Sequence, residues 1–180
     1  MKELALHILD IAQNSVVAGA SLVTIDVEED AVKDVLRISI IDNGCGMTPE
    51  FLESVTDPFT TKRTTRKVGL GIPLFKLAAE NTGGSFSIKS EVGKGTEVLA
   101  IFTYSHIDRQ PLGDMAETIL GLITAYENCD FVFNHIVSDK SFSLDTREIK
   151  QILGDVSLGS PDVYLWLSDY LKEGEEELVN

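Results

Sequence analysis

Apolar residues recur at three- and four-residue steps through the start of the chain. Leu4, Ile8 and Ile11 open a stripe that Ser15 and Ala18 continue, and Gly19 follows it. That period predicts a helix over 3–18. The period then falls to two: Val23, Ile25 and Val27 share one face, as do Leu36, Ile38 and Ile40. Strands are predicted over 22–29 and 35–41, with 30–34 as the turn. Thr48-Pro49-Glu50 combines a capping hydroxyl, a first-turn proline and an acid near a positive helix end, so a short helix starts there. Residues 57–70 have no clear period and read as a long loop. A helix over 72–81 stops at Gly83-Gly84. Strands over 86–91 and 96–104 meet at the Gly93-Lys94-Gly95 turn.

The rest of the chain reads as an addition to this unit. A helix is predicted over 113–126, then a hairpin of 130–137 with 141–144 about Ser138-Asp139-Lys140. Asp145-Thr146-Arg147-Glu148 is a capping box opening a helix to Leu153. Ser160-Pro161-Asp162 opens a last helix to about Lys172, and the final EGEEELVN reads as a solvated acidic terminus. Runs of strands with helices to one side predict a two-layer α+β fold. The expected division is a first domain over 1–105 and a C-terminal α+β extension over 106–180, packed on it or forming a partner or dimer surface.

Charge sharpens this division. The chain has 180 residues and a net charge of −14. Residues 1–105 carry 14 acidic and 10 basic side chains, and residues 106–180 carry 15 and 5. Such acidity opposes binding to nucleic acid or to an anionic membrane. No apolar run approaches the roughly 18 residues of a membrane helix. No export signal is expected at the N-terminus, because Asp10, Gln13 and Asn14 interrupt any apolar stretch. Two cysteines, Cys45 and Cys129, are too few for a disulfide framework or a cysteine zinc site. The expectation is a reduced, cytoplasmic protein. One dense basic cluster stands out: Lys62, Arg63, Arg66 and Lys67.

Candidate chemistry lies in the first 105 residues. Asp10 and Asn14 are spaced i, i+4 and share a helix face, where oxygen ligands can hold a water or a hard cation; a plain solvated face is the alternative. Asp42-Asn43-Gly44-Cys45-Gly46-Met47 follows an apolar strand. It reads either as a turn or as an aspartate placed to accept from a base amino group beside glycines that allow close approach. Gly69-Leu70-Gly71 opens a helix whose first backbone N–H groups, with the basic cluster nearby, suit a polyphosphate. Neither a P-loop nor a Rossmann fingerprint is present.

These pieces, in this order, resemble the GHKL ATP-binding family of DNA gyrase, the ninety-kilodalton heat-shock chaperone, sensor histidine kinases and MutL. DIAQNSVVAGA resembles the N-box helix, which implies that Asn14 coordinates magnesium. IIDNGCGM resembles the first glycine box, which implies that Asp42 recognises the adenine amino group, with Gly44, Gly46 and Met47 around the base. DPFTTK is similar to the segment before the ATP lid, bringing in Thr60, Thr61 and Lys62. VGLGIPL resembles the second glycine box, placing Gly69, Leu70 and Gly71 at the phosphates. GKGTEVLAIF resembles the last segment, where Thr96 supports the adenine site. The resemblance covers about 3–104 and implies a mixed, largely antiparallel sheet, with ATP and Mg2+ as ligands.

Two departures bear on activity. Hydrolysing members carry a Glu as general base where this chain has Asp10. A carboxylate one methylene shorter sits roughly 1.5 Å further back, whereas a general base must come within about 2.6–3.2 Å of its water, so slow hydrolysis is expected. With nine residues before Asp10, a phosphoacceptor helical pair is not expected, and His7 reads as a helix-face or pocket residue. The resemblance therefore implies an ATPase or kinase-like enzyme that passes phosphate to a protein partner in trans or slowly to water. The alternative is a nucleotide-sensing module that controls a partner without turnover. ATP or ADP, an unidentified protein partner and a homodimer are the expected associations.

Overall fold

In the computed structural model, residues 2–57 and 70–180 are described. The first apolar stripe forms α1 (Leu4–Val17), whose buried side includes Leu4, Ile8, Ile11 and Ala12. Glu3 gives no side-chain cap. Instead the amides of Leu4 and Ala5 donate to the carbonyls of Pro111 and Leu112, so a distant segment satisfies the first turn. His7 is buried in the same region, with Nε2 3.0 Å from Gln110 Oε1 and its ring facing Phe75. Burial lowers its pKa, partly offset by the Gln110 hydrogen bond.

The chain continues through β1 (Leu22–Asp30), β2 (Val35–Asp42), α2 (Pro49–Val55), α3 (Gly71–Glu80), β3 (Ser85–Glu91) and β4 (Gly95–Thr103). Thr48 caps α2 by accepting from the Phe51 amide. After β4 come α4 (Met115–Ala125), β5 (Asp130–Val137), β6 (Lys140–Asp145), α5 (Thr146–Leu153) and α6 (Pro161–Val179). Asp145 caps α5 by accepting from Arg147.

All six described strands form one sheet in the order β3-β4-β2-β1-β5-β6. Every neighbouring pair is antiparallel except β1 with β5, which run parallel with Val23 opposite Phe131 and Val27 opposite His135. The fold is the expected α+β one: a mixed, largely antiparallel sheet. The predicted 130–144 hairpin is present, and it joins the sheet of the first 105 residues through β1. One face of the sheet, with Val23, Ile25, Leu36, Ile38, Ile40, Val98, Phe102, Phe131 and Phe133, supplies the core that the helices cover. The opposite face carries a polar row across four strands: Ser39 to Asp26, Asn134 to Asp26, and Ser143 to Asn134.

The acidic terminus is a correction. EGEEELV is not a solvated tail: α6 runs to Val179, beyond Lys172, and buries Leu171, Gly174 and Leu178. Glu175 also reaches inward. His135, buried on β5, sits between Glu175 and Glu29, with Nδ1 2.9 Å from the Glu175 carboxylate and Nε2 2.8 Å from Glu29 Oε1. Burial alone would lower the His135 pKa. The hydrogen bonds from Glu175 and Glu29, with their charges, outweigh it and raise the pKa to about 9. The outer side of α6 presents Trp166 stacked on Tyr170 at 5.2 Å. No described helix is long and apolar enough to cross a membrane.

Candidate functional site

A cavity of about 600 Å³ opens between α1, α2 and the ends of β2 and β4. Its walls are mostly apolar, from Ile11, Ile40, Phe51, Val55, Ile72 and Val98. A few polar groups converge on it, the usual character of a small-molecule site. Asn14, Ser15, Asp42 and Thr96 are among its lining residues.

Asp42 is the last residue of β2, so its position follows from the sheet register, directly opposite Thr96 of β4. Its carboxylate is held on both oxygens. Oδ2 accepts from Ser15 Oγ at 2.6 Å, and Oδ1 accepts from the Gly44 amide at 2.9 Å. Ser15 lies one residue after Asn14 on α1, buried with the apolar stripe.

The loop after Asp42 is tied to the β3–β4 turn. Cys45 accepts from the Gly93 amide at 2.8 Å, and the Met47 amide donates to Ser90 Oγ at 2.8 Å. Gly46 has φ +70°, and a Cβ there would overlap the Glu91 carbonyl oxygen, so only glycine fits. Asn43 faces away from this work: its Oδ1 accepts from the amides of Ser21 and Leu22.

Asn14 carries an orphan. Its Nδ2 is buried with no hydrogen-bond partner among the described residues. A buried amide left unpaired in a polar part of a cavity is costly unless a ligand completes it. That NH2 group calls for an acceptor, while the carboxamide oxygen is the kind of ligand a hard cation takes. The residues fit magnesium to that extent.

Of the residues singled out in the sequence, Asn14, Asp42, Gly46, Met47 and Thr96 line this cavity, and Gly44 braces Asp42. Leu70 precedes α3 as its N-cap residue, half exposed, and Gly71 is the first helical residue. A Cβ on Gly71 would overlap the Asp10 carboxylate, so Asp10 lies against the start of α3 and outside the lining of the cavity. Pro73 has no amide proton, which leaves Gly71 and Ile72 as the donors of the first turn. Thr60, Thr61, Lys62 and Gly69 lie outside the described residues, as does the rest of the basic cluster.

Two further hydroxyls bear on the site, and the sequence pattern does not single them out. Ser15 reads there only as a small member of an apolar stripe. Ser90 reads only as a strand residue. The signal for Ser15 is a hydroxyl on the core-facing side of a helix, next to a candidate ligand.

The comparisons with known proteins bear on the family and the fold. A sequence model of the histidine kinase-, DNA gyrase B- and HSP90-like ATPases matches residues 2–106. The chain belongs to that family. Sensor protein SrrB of Staphylococcus aureus is 37% identical over 101 residues, 53% of this chain and 17% of its own length. The chain thus spans about a sixth of the length of the curated relatives it matches. Among solved structures, the N-terminal domain of a DNA repair protein superposes with TM-score 0.58 at 17% identity, over 86% of this chain and 58% of that one. The MutL ATPase domain of Aquifex aeolicus, complexed with ADP, gives TM-score 0.51 at 17% identity, over 99% and 69%. At that identity these likenesses speak to the fold.

Proposed function

We propose that the chain binds Mg-ATP in the cavity beside α1 and passes the γ-phosphate to a protein partner in trans, or slowly to water. The observation that carries this is the Asp42 carboxylate, held by Ser15 and Gly44 as an acceptor in an apolar cavity of nucleotide size. A carboxylate so placed accepts a hydrogen bond from an exocyclic amino group and rejects a carbonyl. Asn14 would hold magnesium, whose charge, when bound, offsets that of the triphosphate. The amides of Gly71 and Ile72 at the start of α3 would meet phosphate oxygens. Thr60, Thr61, Lys62 and Gly69 belong to the same reading as triphosphate contacts. Family membership supports the ligand class.

Calorimetry tests the reading directly. ATP and ADP should bind the wild-type chain, ATP more tightly with magnesium than without. Asp42→Asn, which puts an amide where the acceptor stood, should abolish preference for the adenine base. Retained preference would remove Asp42 from the site.

A second reading has its own support. Asp10 lies against Gly71, outside the cavity lining, and is one methylene shorter than the family's glutamate. This favours a module that senses ATP against ADP and controls a partner with negligible turnover. Phosphate release measured with Asp10→Ala separates the two: fast wild-type release that the substitution stops would exclude the sensing module.

A further inference from the structure

Ser90 stands behind the cavity wall, outside the lining residues. Ser90 of β3 is paired across the sheet with Thr96 of β4, and Thr96 is paired on its other side with Asp42. Three contacts meet at Ser90 Oγ. The Met47 amide lies at 2.8 Å, the Gly95 carbonyl oxygen at 3.0 Å, and Thr96 Oγ1 at 2.8 Å.

A hydroxyl has one proton and two acceptor lone pairs. The Met47 amide can only donate, and the Gly95 carbonyl can only accept. Ser90 therefore gives its proton to Gly95 and one lone pair to Met47. Thr96 donates into the lone pair that remains. Only this arrangement makes all three contacts hydrogen bonds, and it leaves Thr96 Oγ1 with lone pairs and no free proton. Nearby amides are likewise committed: Gly44 to Asp42, Cys45 to the Ala18 carbonyl, Met47 to Ser90. Two acceptors, Asp42 and Thr96, then stand side by side on the cavity wall.

We infer that Ser90 is a positioning residue that fixes Thr96 as an acceptor, so that the pocket selects a 6-aminopurine over a 6-oxopurine. An exocyclic amino group brings two protons to two acceptors, whereas a 6-oxo group brings an oxygen. The inference rests on the nucleotide reading above and deepens it.

The test compares ADP with inosine diphosphate by calorimetry on the full chain, so that turnover plays no part. Wild type should bind ADP the more tightly. In Ser90→Ala, Thr96 regains a proton it can offer to the inosine oxygen. The ADP preference should then fall roughly five- to tenfold, the worth of one hydrogen bond. Ser90→Thr keeps the hydroxyl and should restore the preference. Thr96→Val should lower it in the same direction, and adding Ser90→Ala to it should lower it no further. A preference unchanged in Ser90→Ala and in Thr96→Val, with both affinities falling together, would overturn the inference and leave Ser90 a packing residue. Failure of the wild-type chain to bind either nucleotide would remove the nucleotide reading itself and this inference with it.

Discussion

Ser15 and Asp42, 27 positions apart, share a hydrogen bond of 2.6 Å that joins the helix bearing Asn14 to the strand end bearing the candidate base acceptor. That hydroxyl, with the Cys45 amide that donates to the Ala18 carbonyl, sets the two halves of the cavity against each other. Ser15→Ala should leave the fold intact and weaken ADP binding about tenfold, as one charge-assisted hydrogen bond is lost. Calorimetry reads the affinity, and a melting curve within a few degrees of wild type confirms that the loss is local.

The orphaned carboxamide of Asn14 gives a second expectation. Asn14→Ala should erase the part of ATP affinity that depends on magnesium and leave the metal-free affinity nearly unchanged. Asp10→Ala should spare binding in both conditions. A titration of ATP with magnesium and with a chelator separates the two residues, and an equal response to both substitutions would count against their assigned roles.

Gly46 should tolerate no side chain. A methyl group there meets the Glu91 carbonyl and a φ of +70°. Gly46→Ala should cost more than about 2 kcal/mol, a fall of about 5 °C or more in Tm for a chain of this size. The loop from Gly44 to Met47 should lose its register, so nucleotide binding should fail as well. A wild-type melting temperature for this variant would contradict the close approach.

The buried imidazole of His135 predicts a pH profile. Its folded pKa, about 9, lies above the ordinary 6.5. A group whose folded pKa is raised contributes fully below its unfolded pKa and loses that contribution as pH rises through the folded value. Stability should therefore fall between about pH 6.5 and 9, by a few kcal/mol at most. His135→Gln should flatten this slope. The single tryptophan, Trp166, lies on the same helix as Glu175, so its fluorescence reports whether α6 loosens over that range.

The local part of this molecule is legible in its sequence. The apolar stripe of α1, the alternation in β1 and β2, and the glycine pair after α3 all announce themselves within a few residues. So does the position of Asp42 at a strand end. The pairing of β5 with β1 does not, because an alternating strand looks the same whichever neighbour it takes and whichever way it runs. The end of α6 was hidden by its charge. Leu171, Gly174 and Leu178 keep the helical spacing, but the glutamates between them resemble a solvated tail until His135 provides a buried partner for one. Ser15 and Ser90 are not legible for a related reason: a hydroxyl is small enough to pass as packing, and its partner is chosen by the tertiary fold. The lining of the cavity by Asn14, Asp42 and Thr96 depends on that same assembly.

The parallel pairing of β1 with β5 has a practical result for anyone shortening the chain. A fragment ending near residue 105 would strip β1 of its neighbour from Leu22 to Glu29, exposing a bare row of amides and carbonyls beside Val23, Ile25 and Val27. Such an edge recruits strands from other copies. The fragment should precipitate or grow fibrils, even though every residue of the cavity would still be aboard.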